Sequence, residues 1–149
     1  MELDSLYQEV ILDHYKNPSH KHLLQEFTSK VHHVNPSCGD EQDLTLNLID
    51  SKIDEIGWDG VGCSISQAST SIMAELLDGK SVDEAMFIHR AFVEMVQSKG
   101  KITGDESILE DAVAFAGVSK FPARVKCALL GWMAIKDALS QSLDKAKGN

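Results

Sequence analysis

The chain has 149 residues, 43% of them apolar and 25% charged, enough to enclose one core and inconsistent with overall disorder. Its 23 acidic and 14 basic residues leave a formal net charge of −9, which opposes non-specific binding to nucleic-acid phosphates. No apolar run reaches membrane-spanning length, and residues 1–5 lack the basic segment and apolar core of a secretory signal, so the expected setting is the cytoplasm.

Leu3, Leu6, Tyr7, Val10, Ile11 and His14 recur at helical spacing, predicting a helix over 3–15 that Asn17-Pro18 ends. A loop with His20 and His22 follows. Residues 30–35 read as a short strand. Leu44, Leu46 and Leu48 alternate with Thr45 and Asn47, the pattern of a half-buried strand. Asp50-Ser51-Lys52 is a turn, and 53–61 is a third strand weakened by Gly57 and Gly60. The connections are too short for crossover helices, so the sheet is an antiparallel meander.

Past Gly62 the period changes. Ile65, Ala68, Ile72 and Leu76 mark a helix that begins near Cys63, with Gly79 placed to end it. Ser81 and Glu84 form a capping box for a helix reaching about Ser98, with Ile88, Phe92 and Met95 as its buried stripe. Residues 100–105 are a loop. Ser107 and Glu110 offer a second capping box, for a short helix that Gly117 stops. Pro122 suits the first turn of the last helix, where Val125, Leu129, Trp132 and Leu139 share a face with Ile135 or Lys136. Residues 144–149 are expected to fray. With no repeat or internal boundary, 1–149 reads as one α+β domain: a small three-stranded antiparallel sheet packed with about five helices.

The chemistry gathers at three cysteines, an odd count for disulfide pairing. In a reducing compartment such thiols point to metal binding or catalysis; the alternative is three buried thiols acting as small hydrophobes. Cys38 sits in the turn after the first strand, in the run Asn35-Pro36-Ser37-Cys38-Gly39-Asp40. Cys63 sits where a strand gives way to a helix, and Cys127 in the first turns of the last helix. If the fold converges them, three thiolates and the Asp40 carboxylate would fill a four-ligand shell. The helix N-terminus favours thiolate at Cys63, and Arg124, one turn before Cys127, is expected to do the same there. Asp40 alone also reads as a turn residue bonding its own backbone. His14 reads as a partly buried, satisfied histidine. At most one of His32 and His33 points inward, and no histidine has ligand spacing to a cysteine. The serines and threonine over 64–71 read as small residues packing near a site rather than as nucleophiles.

These motifs carry a resemblance. Asn35 to Asp40, Gly62-Cys63-Ser64-Ile65-Ser66, Cys127 and the opening Leu6-Tyr7 to His14-Tyr15-Lys16-Asn17-Pro18 are similar to the iron–sulfur assembly proteins of the IscU/NifU N-terminal group, over nearly the whole chain. Scaffold members usually have His directly before the third cysteine and a Leu-Pro-Pro-Val-Lys motif shortly before it. This chain has Lys126, no such motif, and a longer segment between about Gly100 and Arg124, features that look like the SufU branch. The resemblance implies an IscU/SufE-like fold and one zinc ion held by Cys38, Asp40, Cys63 and Cys127. It also implies a PLP-dependent cysteine desulfurase partner, SufS, alongside other Suf assembly proteins. Cys38 would accept persulfide sulfur as a zinc-dependent sulfurtransferase rather than as a stand-alone enzyme. A partner histidine can take the Cys38 thiolate's place on zinc, and Arg124 matches an arginine associated with that exchange. Two further readings stay open: an IscU-type scaffold assembling a [2Fe–2S] cluster on the same four residues, and a structural zinc module without sulfur chemistry.

Overall fold

The computed structural model describes residues 5–147. Helix α1 (Ser5–Lys16) leads to strands β1 (Ser29–Asn35), β2 (Asp40–Ile49) and β3 (Lys52–Val61). Helices α2 (Ser64–Leu77), α3 (Val82–Val96) and the single turn α4 (Glu106–Leu109) follow. A run of 3₁₀ turns (Glu110–Lys120) then leads into the long helix α5 (Pro122–Lys147). The expected start of α1 at Leu3 lies outside the described residues.

The sheet is an antiparallel meander in the order β1-β2-β3. Asn35 pairs with Asp40 across a four-residue loop, and Ile49 with Lys52 across Asp50-Ser51. Asp50 and Ser51 both have positive φ, 51° and 62°, the hand that matches the twist of a two-residue hairpin. One face of the sheet carries Val31, Leu44, Leu46, Ile56 and Trp58 into the core, against α2 and α5. There Trp132 of α5 stacks on Phe92 of α3 with ring centroids 4.0 Å apart.

The alternation expected of β2 fails at Thr45, which is fully buried. The loop after α1 covers that outer face. Thr45 Oγ1 donates to the Gly57 carbonyl at 2.8 Å and accepts from the Leu24 N–H at 3.0 Å. A Cβ on Gly57 would lie 2.3 Å from the His22 carbonyl oxygen, so the glycine that looked like a weakness in β3 is where the loop seats.

The Ser81–Glu84 capping box forms as expected. The second one does not. Asp105 caps α4 instead, accepting from the Ser107 N–H at 2.9 Å and its hydroxyl at 2.7 Å. The following turns are 3₁₀ and run through Gly117 to Lys120. They stop at Phe121, held extended (φ −120°, ψ 93°) as the residue before a proline must be. The chain past Asp144 does not fray at once: α5 continues to Lys147, and Lys145 Nζ donates to the Thr28 carbonyl at 2.5 Å.

Candidate metal centre

Three local structures deliver the thiols. The loop between β1 and β2 turns through the Cys38 N–H donating to the Asn35 carbonyl at 3.2 Å, and Gly39 takes φ +69°, which favours glycine. Cys38 is exposed at its tip. Cys63 is the residue capping α2, extended at φ −70°, ψ 165°. Cys127 lies one turn into α5 and is buried.

Asp40 is the first residue of β2 rather than a loop residue, and it bonds across the fold rather than to its own turn. It is 1% exposed. Its Oδ1 accepts the Cys63 N–H at 2.8 Å, and its Oδ2 lies 3.9 Å from Cys63 Sγ. One oxygen thus satisfies a helix N-terminus while the other faces the sulfur. Gly62 makes this approach possible. It sits at φ +149°, and a Cβ there would lie 2.2 Å from Asp40 Oδ1.

The sulfurs meet in the same place. Cys127 Sγ is 3.2 Å from Cys38 Sγ and accepts a long hydrogen bond from Asn35 Nδ2 at 3.9 Å. Cys38, Asp40 and Cys127 present donor atoms all within 4.8 Å of one another. Cys63 lies beside this group, its Sγ 3.9 Å from Asp40 Oδ2. Three of the candidate donors thus form one group, from a loop, a strand start and a helix interior, and Cys63, at a helix cap, adjoins it through Asp40.

The expectation that Arg124 ionises Cys127 is not met. Burial pushes the Cys127 thiol well above its usual range, and its hydrogen bond with Cys38 pushes it further. Arg124 is exposed and lies over the Phe121 ring at 5.0 Å. Turned outward, it faces solvent.

The histidines stay outside the cluster. His14 Nδ1 bonds Ser71 Oγ at 2.8 Å, His33 pairs with Asp137 at 2.8 Å and His89 Nε2 bonds the Trp132 carbonyl at 2.9 Å. Burial is the main cause that lowers the pKa of His89. The small polar residues of α2 do more than pack. Ser69 donates to the Ala128 carbonyl and accepts from Trp132 Nε1, while Ser66 and Thr70 meet the buried side chain of Gln42. Gln42 escaped the sequence reading; its signal was its place two residues beyond Asp40, on the same face of a strand.

Residues 6–128 match the family model of the NifU-like N-terminal domain. The chain belongs to this family. It is 42% identical over 139 residues to the zinc-dependent sulfurtransferase SufU of Bacillus subtilis, covering 93% of this chain and 92% of the relative. It is 41% identical over 141 residues to the iron–sulfur cluster assembly scaffold protein IscU of Streptococcus pyogenes, covering 95% of this chain and 87% of the relative. A solved structure of a nitrogen-fixing NifU-like protein (N-terminal) from Brucella abortus superposes with a TM-score of 0.85. It is 25% identical and covers 93% of this chain and 95% of that one. The fold is that of this family.

Proposed function

We propose that the chain is a zinc-dependent sulfur acceptor in iron–sulfur cluster assembly. Cys38, Asp40, Cys63 and Cys127 would hold one zinc ion. The donors fit it: three sulfurs and one carboxylate oxygen make a four-coordinate, mainly soft set. Burial holds the Cys127 thiol protonated when no positive charge lies beside it, and coordination would ionise it. Bound zinc would supply that charge and shield the resting thiolates.

The observation that carries the proposal is the asymmetry of the cluster. Cys38 is exposed on a loop with Gly39 beside it, whereas Asp40 and Cys127 are buried in a strand and a helix. Cys38 is the member placed to meet another protein. In the proposed step the Cys38 thiolate attacks the outer sulfur of a persulfide on SufS, a PLP-dependent cysteine desulfurase. The S–S bond to the desulfurase cysteine breaks, that cysteine leaves as a thiolate, and Cys38 carries the new persulfide. Other Suf assembly proteins would receive the sulfur. Arg124, exposed on the same stretch of α5, is proposed to contact the desulfurase during exchange. The setting proposed is cytoplasmic; among the described residues no helix is long and apolar enough to cross a membrane.

The test is metal analysis of the purified protein with a desulfurase turnover assay. One zinc per chain and stimulation lost in Cys38→Ser are expected; unchanged turnover with the wild-type chain refutes the proposal. The IscU relative favours a second reading, a [2Fe–2S] scaffold on the same residues, since three thiolates suit such a cluster too. Visible absorption after iron and sulfide reconstitution, with transfer to an apoprotein, would select it.

A further inference from the structure

Two of the four clustered residues sit on separate elements that a buried amide ties together. Gln42 lies two residues after Asp40 on the core face of β2 and is 1% exposed. Its Nε2 donates to the Ser66 carbonyl at 3.3 Å, and its Oε1 accepts from the Thr70 hydroxyl at 2.8 Å. The Ser66 hydroxyl in turn donates to the Cys63 carbonyl at 3.0 Å. Strand β2 therefore grips the start of α2 twice: Asp40 holds the Cys63 N–H, and Gln42 holds the next turn.

The neighbours have been cut away to make room. Gly60 is the cross-strand partner of Gln42, and a Cβ there would lie 2.9 Å from Gln42 Cγ and 2.2 Å from the Glu41 carbonyl oxygen. Gly131 of α5 backs Thr70, and a Cβ there would lie 2.2 Å from Thr70 Oγ1. An apolar side chain at position 42 would fill the same volume. A buried amide satisfied at both ends adds little net stability over one, but it fixes direction and distance.

We infer that Gln42 is a positioning residue that sets the placement of Cys63 against Asp40 by clamping the Ser66–Thr70 turn to β2. Its consequence for metal rests on the zinc reading above; the clamp itself does not. Gln42→Met keeps the length and volume and removes both hydrogen bonds. Thr70→Val removes the partner hydroxyl from the other side.

The experiment uses the full chain in wild-type, both single-variant and double-variant forms. Four quantities are read. They are the zinc Kd by chelator competition, the cobalt(II) absorption spectrum, the metal-free thermal midpoint, and the Cys63-to-Cys38 alkylation ratio in the metal-free protein. Gln42→Met is expected to weaken zinc binding about tenfold, the usual scale for a residue that orients a ligand. It is also expected to shift the cobalt bands and raise the Cys63-to-Cys38 ratio. Thr70→Val should move the same readouts the same way, and the double variant should be no worse than the more severe single one, since the two act through one contact. A lowered thermal midpoint with wild-type zinc affinity, cobalt spectrum and alkylation ratio overturns the inference and leaves Gln42 a packing residue. A wild-type chain that takes up neither zinc nor cobalt sinks the zinc reading alone, and the alkylation ratio still decides the clamp.

Discussion

Replacing Gly62 with alanine puts a methyl group where the Asp40 carboxylate lies. The added Cβ would stand 2.2 Å from Oδ1 and 2.9 Å from Cγ, both on a buried side chain. The carboxylate must turn, and turning breaks its 2.8 Å bond from the Cys63 N–H. A hydrogen bond to a charged acceptor is worth about 1.5–3 kcal/mol. The φ of +149° adds a strain of about 1–3 kcal/mol for a residue with a Cβ. The metal-free protein should therefore lose about 2.5–6 kcal/mol, a drop of roughly 5–24 °C in Tm for a domain of this size. Gly39→Ala is the control. It incurs the left-handed strain at φ +69° but meets nothing within 4 Å, so its Tm should fall by only about a third as much. Thermal unfolding of the three metal-free proteins gives the first comparison. Chelator competition gives the second, with zinc binding about tenfold weaker in Gly62→Ala because Oδ2 moves away from Cys63 Sγ. Equal Tm losses at the two glycines, with wild-type zinc affinity at Gly62→Ala, would show that the Asp40–Gly62 contact is not what holds the carboxylate.

Thr45→Val keeps the shape of a fully buried side chain and orphans the Leu24 N–H; it should cost about 1–3 kcal/mol in urea unfolding and leave zinc affinity unchanged. His89 is held neutral by burial, so its folded-state pKa lies below 6.5 and the unfolded state binds its proton first. Metal-free stability should thus fall as pH drops below about 6.5, and His89→Gln should flatten that slope in denaturant titrations between pH 7 and 5. Asp137 titrates lower, its carboxylate depressed mainly by the His33 hydrogen bond, so its stabilisation is present above pH 3.8 and fades only below that. Arg124→Ala should bind zinc as the wild type does, because Arg124 lies outward over Phe121, yet lose desulfurase stimulation in the turnover assay.

The meander and the main helices were legible because their signals are local. Short connections force antiparallel pairing, Asp50-Ser51 makes a hairpin turn, and Ser81 with Glu84 writes a capping box within four residues. The places where the reading failed depend on neighbours distant in sequence. Thr45 looks like an outward strand residue until a loop 21 residues earlier covers it. Asp40 looks like a turn residue until Cys63, 23 residues later, supplies the N–H it caps. Ser107 with Glu110 satisfies the capping pattern, but Asp105 wins because its carboxylate reaches two donors of Ser107 at once. At the cluster, residue types and order singled out Cys38, Asp40, Cys63 and Cys127 as candidates. What they left unread was the support, since Gln42, Gly60, Gly62 and Gly131 matter only through what lies against them.

That support leaves three of the four residues firmly held and the fourth on an exposed loop. Asp40 is fixed by its backbone partner, and Cys63 is the cap of a helix whose first turn is bonded to β2. Cys127 is part of a helix that packs on the sheet and the helices beside it. Each of these three would need the core to move before it could leave. Cys38 needs only its own loop to move, and that loop is closed by one backbone bond of 3.2 Å and turned by Gly39. A loop of this kind opens at far lower free energy than a core element, because few buried contacts are lost. On the proposed function, Cys38 would then meet an incoming persulfide while Asp40, Cys63 and Cys127 keep their places. The division follows from which element carries which residue, so on the proposed function a Cys38 thiol held on a rigid element should no longer accept sulfur yet should still bind metal.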